Sequence, residues 1–247
     1  MPLVEAHPVA GVATNVLATK HMVDAARSVG VERFVLFSTD KAVQPSSILG
    51  QTKAVAEWIV ASAGGEAPGM RYSSVRLGNV VDSSGSILPL FRRQIEHGGP
   101  VTVTDPRTTR YLMTAAEAAG LVVVAGSIGD SAGVFWLDLD PPVRILELAR
   151  LLVSATSADI EIDFAGLRPG EKLHEQLFAA ADDIVATTSE HVLRSTMPRV
   201  DPAWLSSWIS ALQRHVERAS AVGVRAALAA MHAAPEEELA VSSAGNV

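Results

Sequence analysis

The spacing of apolar positions changes along this chain, and the changes divide it into elements. Between residues 8 and 29, Val12, Val16, Thr19, Val23 and Ala26 fall on one helical face, and Gly30 supplies a stop, so a helix is predicted there. Phe34-Val-Leu-Phe37 is a continuous apolar run of the kind buried on both faces of a parallel sheet, which predicts a strand at 33–38. Pro45 holds the next loop open. Ser46 or Ser47 can cap a helix that runs to about Ala63, where Gly64-Gly65 ends it. Tyr72 to Leu77 reads as a second buried strand. Strand, helix and strand in this order make a right-handed parallel crossover, the repeating unit of a doubly wound α/β sheet.

From Gly78 the texture is finer, with Gly78, Gly85, Gly98 and Gly99 separating shorter elements, as expected where a second lobe grows out of a sheet. The predicted boundary lies near residue 85. Helices are expected at 87–97 and 145–154, strands at 101–104, 134–137 and 160–164, and Thr114-Ala-Ala-Glu117 is a capping box that opens another helix. Trp204, Leu205, Trp208, Ile209 and Leu212 follow Pro202 at helical spacing. Val222 to Met231 reads as a last helix, and 233–247 as a loose tail. No internal repeat is present.

Composition narrows the chemistry. A length of 247 residues with 48% hydrophobic positions supports one or two cores. The absence of cysteine excludes disulfides, thiolate nucleophiles and cysteine-ligated metals. A net charge of −7 argues against a general nucleic-acid surface, so a phosphate ligand has to be held by local arginines. No apolar run approaches the ~20 residues of a membrane span. His7 and His174 read as surface or packing residues, and no histidine and carboxylate spacing suggests a metal site.

Chemistry-bearing residues gather where the first strand ends. Open α/β sheets place their sites at the carboxyl ends of strands. Ser38, Thr39, Asp40 and Lys41 offer hydroxyl, carboxylate and ammonium groups there, and Lys53 lies in the first turns of the following helix. Asp40 and Lys41 place an acid beside a base. Read locally, they also fit a loop ion pair or a helix cap, and Lys53 fits an exposed helix lysine. Asn79 follows the second strand, next to a glycine that permits close approach. Arg110 and Arg168 can each present a forked guanidinium to a diphosphate, and Glu171 can accept from ribose hydroxyls. Arg168-Pro-Gly-Glu171 also fits a turn closed by an ion pair. As loop residues, both arginines are expected to be replaceable by alanine with little effect on folding.

The segments Thr14-Asn-Val-Leu-Ala-Thr19, Ser38-Thr-Asp-Lys41, Arg76-Leu-Gly-Asn-Val80, Ser83-Ser-Gly-Ser86, Thr109-Arg-Tyr-Leu-Met-Thr114 and Gly166-Leu-Arg-Pro-Gly-Glu-Lys172 occur in one order. In that order they resemble the extended short-chain dehydrogenases/reductases that act on nucleotide-sugars, and within them the CapD-like polysaccharide-biosynthesis 4,6-dehydratases. The resemblance runs from Pro2 to about Met231. It implies a partial Rossmann-type sheet over 1–85, a substrate-binding lobe over 86–232, NAD as cofactor and a UDP-sugar of the UDP-N-acetylglucosamine type as substrate. Asp40 would be the acid and Lys41 the base, with Thr39 or a water serving oxidation at C4. Ser38 and Lys53 would meet the cofactor, Lys53 through the nicotinamide ribose. Asn79, Arg110, Arg168 and Glu171 would hold the nucleotide.

Two departures accompany the resemblance. Short-chain dehydrogenases usually carry Tyr-x-x-x-Lys, and here Leu49 stands at the tyrosine position with Lys53 kept; an apolar residue there matches the membrane-associated branch of the family. The chain also contains no Gly-x-Gly, so the pyrophosphate cradle of a dinucleotide fold is missing. The resemblance places Pro2-Leu-Val-Glu5 after the family's first four strands, so the chain is expected to be a C-terminal portion with an unpaired sheet edge and negligible NAD affinity by itself. The full-length form is expected to be a cytoplasmic homo-oligomer, with an anchor to the inner face of the plasma membrane as one option. Epimerisation at C4 or C5, and a non-catalytic UDP-sugar-binding fragment, are the alternative readings.

Overall fold

The computed structural model describes residues 2–66, 69–83, 85–128, 132–156, 159–180, 182–197 and 200–234. Ser84 and positions 235–247 of the expected tail lie outside the described residues. The chain begins with the helices α1 (Pro2–Ala6), α2 (Pro8–Val12) and α3 (Ala18–Ser28), the last two joined by a π-helical turn at Ala13–Leu17. Strand β1 (Arg33–Thr39), helix α4 (Ile48–Glu66) and strand β2 (Arg71–Leu77) form the predicted crossover, with β1 and β2 parallel. Gly64 and Gly65 fall inside α4 and do not end it. A side chain on Gly64 would crowd the backbone nitrogen of Ala132 and the Tyr72 side chain, so this glycine serves helix-to-sheet contact.

Next come β3 (Asn79–Val80), α5 (Ile87–Glu96), β4 (Val101–Val103), β5 (Thr109–Arg110), β6 (Leu112–Met113) and α6 (Ala115–Ile128). The capping box forms as the sequence predicts: Thr114 Oγ1 accepts from the Glu117 N–H at 3.1 Å, and Glu117 Oε2 accepts from the Thr114 N–H at 2.6 Å. Removing such a cap costs about 0.5–2 kcal/mol. Then follow β7 (Gly133–Leu137), β8 (Val143–Arg144), α7 (Ile145–Ser154), β9 (Ile162–Phe164), β10 (Val185–Ala186), β11 (Val192–Thr196), α8 (Pro202–Glu217) and α9 (Ala221–Ala233).

The main sheet has the order β1-β2-β7-β11-β10, parallel across β1, β2 and β7 and antiparallel beyond. The β10–β11 ribbon was not legible in the sequence, because Val185-Ala186 is too short for a periodic signal. One face of the sheet is covered by α4, backed by α2, α3, α8 and α9. Val16, Val55, Leu212 and Leu228 are buried there. The other face is covered by α6, where Leu121 and Ala125 pack on Val75 and Phe135. A separate cluster of Phe91, Val101, Val103, Ile145 and Ala149 gives α5, β4 and α7 their own small core.

The expectation that Phe34 to Phe37 are buried on both faces is corrected. Leu36 is buried against α4, but Phe37 is 55% exposed. The strand lies at the margin of the sheet, and Phe37 faces an open cleft shared with Val122 and Val123 of α6.

Candidate active site

The cleft has a volume of ≈ 730 Å³ and opens at the carboxyl ends of β1 and β2. Thr39, Lys41, Leu49, Gly78, Asn79 and Ser86 line it, with an apolar wall from α6. Directly after β1 the backbone enters a single 3₁₀ turn at Asp40–Ala42, started by Thr39, whose Oγ1 accepts from the Lys41 N–H at 3.4 Å. This turn reverses the chain within three residues and presents Asp40 and Lys41 to one another.

Asp40 is fully buried. Its Oδ1 accepts from Lys41 Nζ at 2.8 Å and from Thr39 Oγ1 at 2.9 Å, while Oδ2 accepts no hydrogen bond among the described residues. Buried oxygens are seldom left so, and one that is marks a group whose place in the fold calls for an explanation. Lys41 Nζ also donates to Asn79 Oδ1 at 3.5 Å, so the structure brings Thr39, Asp40, Lys41 and Asn79 into one group. Asn79 reaches it because Gly78 lies against Tyr111. A β-carbon at Gly78 would stand 2.8 Å from the Tyr111 carbonyl oxygen.

Leu49 and Lys53 are one turn apart on α4, and Leu49 lines the cleft. Lys53 Nζ donates to the Phe37 carbonyl oxygen at 2.8 Å. Burial lowers its pKa, and the Glu57 carboxylate pulls it back up. Ser38 is turned the other way, because successive strand residues alternate faces. Its hydroxyl donates to Glu57 Oε1 at 2.5 Å. Glu57 in turn takes two hydrogen bonds from Arg76, at 3.1 and 2.8 Å, and all three side chains are buried.

This Ser38–Glu57–Arg76 network braces the end of β1 against α4 and β2. Sequence reasoning missed its role, although a signal was present. Glu57 interrupts the apolar Ala54-Val-Ala-Glu-Trp-Ile-Val60, and Arg76 stands inside a buried strand; charged residues at buried positions need partners.

Of the remaining predicted residues, Arg110 lies on β5, and Arg168 and Glu171 lie on the loop from Gly166 to Glu175. Arg110 is 6% exposed; its guanidinium donates to Glu171 Oε1 at 2.9 Å and to the carbonyl oxygens of Thr109 and Leu173. Thr104 Oγ1 also donates to Glu171 Oε1. Arg110 and Glu171 are therefore each other's partners, and the expectation that Arg110 is a loop residue without weight in folding is corrected. Arg168 is exposed, and its backbone N–H donates to Glu171 Oε2 at 3.2 Å. The loop docks through Gly170, whose carbonyl accepts from Ser46 Oγ at 2.9 Å and whose φ of +72° suits glycine.

Docking of this loop brings in two residues that sequence reasoning did not single out. Glu175, with its side chain 2% exposed, lies 3.8 Å from Lys41 Nζ through Oε1 and 3.8 Å from Lys172 Nζ through Oε2. Lys172 Nζ also donates to the Val43 carbonyl oxygen. Burial raises the Glu175 pKa, with Lys41 opposing, and burial lowers that of Lys172, with Glu175 opposing. Among the described residues no group of three histidine, aspartate or glutamate side chains is placed to hold a metal ion. Nor is any described helix long and apolar enough to cross a membrane.

Capsular polysaccharide biosynthesis protein CapD of Staphylococcus aureus is 46% identical over 180 residues, covering 72% of this chain and 30% of that protein. UDP-glucose 4-epimerase of Rickettsia massiliae is 37% identical over 191 residues, covering 74% of this chain and 56% of that protein. The chain thus spans only 30 to 56% of the length of these relatives. The crystal structure of Pen from Bacillus thuringiensis superposes with a TM-score of 0.73 at 29% identity, covering 79% of this chain and 62% of that one. A family model described as polysaccharide biosynthesis protein matches residues 1–197. The chain belongs to the polysaccharide biosynthesis protein family, within the extended short-chain dehydrogenase/reductase group of nucleotide-sugar dehydratases and epimerases.

Proposed function

We propose that this chain carries the catalytic and sugar-binding portion of an NAD-dependent 4,6-dehydratase acting on a UDP-sugar of the UDP-N-acetylglucosamine type. The observation that supports it most is the Asp40–Lys41 pair, 2.8 Å apart, with Lys41 lining the cleft and Asp40 buried behind it. Elimination of water from a sugar needs an acid and a base on neighbouring carbons at the same moment, and adjacent residues in one 3₁₀ turn supply both.

The residues present fit one end of the cofactor. Lys53 spends one of its three N–H donors on Phe37 O, whose residue lines the cleft, and retains two for ribose hydroxyls. Bound NAD would supply the hydride acceptor that turns the C4 hydroxyl into a ketone. No Gly-x-Gly loop occurs in the sequence to cradle its pyrophosphate.

Next to a C4 ketone the C5 proton is acidic. Lys41 Nζ takes that proton, the C5–H electron pair forms the C5–C6 double bond, and the C6–O bond breaks as Asp40 protonates the departing hydroxyl. The pair reaches its working state when one proton crosses the 2.8 Å hydrogen bond, converting ammonium and carboxylate into amine and carboxylic acid. Thr39 Oγ1, held on Asp40 Oδ1, supports proton removal from the C4 hydroxyl, the role that Leu49 cannot take. Asn79 orients Lys41. On the binding side, exposed Arg168 is the free fork for the diphosphate, and Arg110 holds Glu171 in place beside it.

A second reading, epimerisation at C4, is favoured by the 37% identity to a protein named UDP-glucose 4-epimerase. It uses the oxidation and not the elimination. The two are separated by extending the chain to the length of its curated relatives, incubating that longer form with NAD and UDP-N-acetylglucosamine, and weighing the product. A nucleotide-sugar lighter by one water, with solvent deuterium at C5, is the expected result; an isomer of unchanged mass would establish the epimerase instead.

A further inference from the structure

Glu175 is a buried carboxylate for which the proposed chemistry has so far had no use. It comes from the loop after the Arg110–Glu171 pair and reaches into the catalytic turn, which lies 134 positions earlier at Lys41. Four charged groups face it: Lys41, Asp40, Arg110 and Lys172. Its Oε1 stands 3.8 Å from Lys41 Nζ, on an ammonium that already donates to Asp40 and Asn79, and its Oε2 accepts no hydrogen bond among the described residues. A carboxylate in this position costs desolvation and is retained only where something compensates it.

We propose that Glu175 is a positioning residue, the counter-ion that stabilises the ammonium formed when Lys41 accepts a proton, with Lys172 as its balancing cation. This rests on the reading of Lys41 as the base. Before elimination the working pair is amine and carboxylic acid, both neutral. When the C5 proton moves to Lys41, a positive charge appears in a largely buried place, and Asp40 becomes anionic only as its own proton reaches the C6 oxygen. A second carboxylate on the far side of Lys41 lowers the energy of that charge throughout the transfer, as opposite charges within ~4–6 Å do. Lys172 keeps Glu175 from binding Lys41 so tightly that the amine is never released.

The test reads Lys41 directly and needs no turnover. The full chain is treated at pH 8 with formaldehyde and borohydride, and methylation of Lys41 is followed by peptide mass spectrometry against exposed Lys20. Glu175→Gln should raise the Lys41 labelling rate at least ~threefold, because the ammonium loses a stabilising charge and a larger fraction is free amine. Glu175→Asp should return it toward the parent rate. An unchanged Lys41 rate in a Glu175→Gln chain whose urea midpoint is retained would overturn the proposal. Should that variant fail to fold, Lys172→Met decides: slower Lys41 labelling supports the linkage, and an unchanged rate removes it. If both shifts are seen but a form extended to the length of the curated relatives makes no dehydrated sugar, the dehydratase reading fails and the Lys41–Glu175 coupling stands.

Discussion

A β-carbon on Gly50 would stand 2.2 Å from the carbonyl oxygen of Lys41. The first turn of α4 therefore presses directly on the 3₁₀ turn at Asp40–Ala42, and glycine is what allows the approach. Ser47 Oγ caps the same turn by accepting from the Gly50 N–H at 3.1 Å. Gly50→Ala has to push helix and turn apart. The expected loss is at least about 1–3 kcal/mol in urea unfolding, the usual range for overpacking, and Lys41 should shift relative to Asn79. A variant as stable as the parent would mean that the two segments separate freely.

In a form extended to the length of the curated relatives, Lys41→Met removes the proposed base while keeping an apolar side chain of similar length. UDP-sugar binding should persist by calorimetry, and formation of the 4-keto-6-deoxy product should fall by at least about a hundredfold, the low end of a general-base contribution. Turnover above about a hundredth of the parent rate would assign the base elsewhere.

The two arginines should now behave differently. Arg168→Ala, at an exposed loop position, is expected to weaken UDP binding by ~1.5–3 kcal/mol, the range for hydrogen bonds to charged groups, with folding nearly unchanged. Arg110→Ala instead strands the Glu171 carboxylate, whose side chain is 10% exposed. Breaking a buried pair from one side costs about 3–5 kcal/mol, so this variant should unfold earlier in urea. Equal stability of the two variants would show that the Arg110–Glu171 pair carries little of the fold.

Acid should destabilise the chain through His232. Its ring lies tilted against Trp58 with centroids 5.0 Å apart, and Nε2 lies 3.1 Å from the Gln51 carbonyl oxygen. Burial lowers its pKa, and the contact with Gln51 partly opposes this. The folded chain therefore holds this proton less tightly than the unfolded chain, where histidine titrates near ~6.5. Unfolding takes up a proton as pH falls below ~6.5, so stability declines in that direction and is unaffected by this group at higher pH. The loss of urea midpoint between pH 7 and a pH well below 6.5 should be smaller in His232→Gln than in the parent. An equal loss in both would place the acid sensitivity at another group.

Much of the architecture was legible because it rests on local rules. The β1-α4-β2 crossover followed from two apolar runs around a helical pattern, and the Thr114–Glu117 capping box from spacing alone. The adjacency of Asp40 and Lys41 was also legible, since neighbouring residues at a strand's end have few ways to avoid one another. The sequence could likewise place Leu49 and Lys53 on one face of α4, one helical turn apart.

What the tertiary structure decided was where long-range partners meet. Nothing local says that Arg110 is spent on Glu171, 61 positions later, or that Ser38 turns from the cleft toward Glu57 and Arg76. The same holds for Glu175, which reaches Lys41 only because Gly170 lets its loop lie against Ser46 and Ser47. Periodicity reports which face a residue occupies. A buried charge is defined by the particular group across from it, and that group is chosen when distant segments pack.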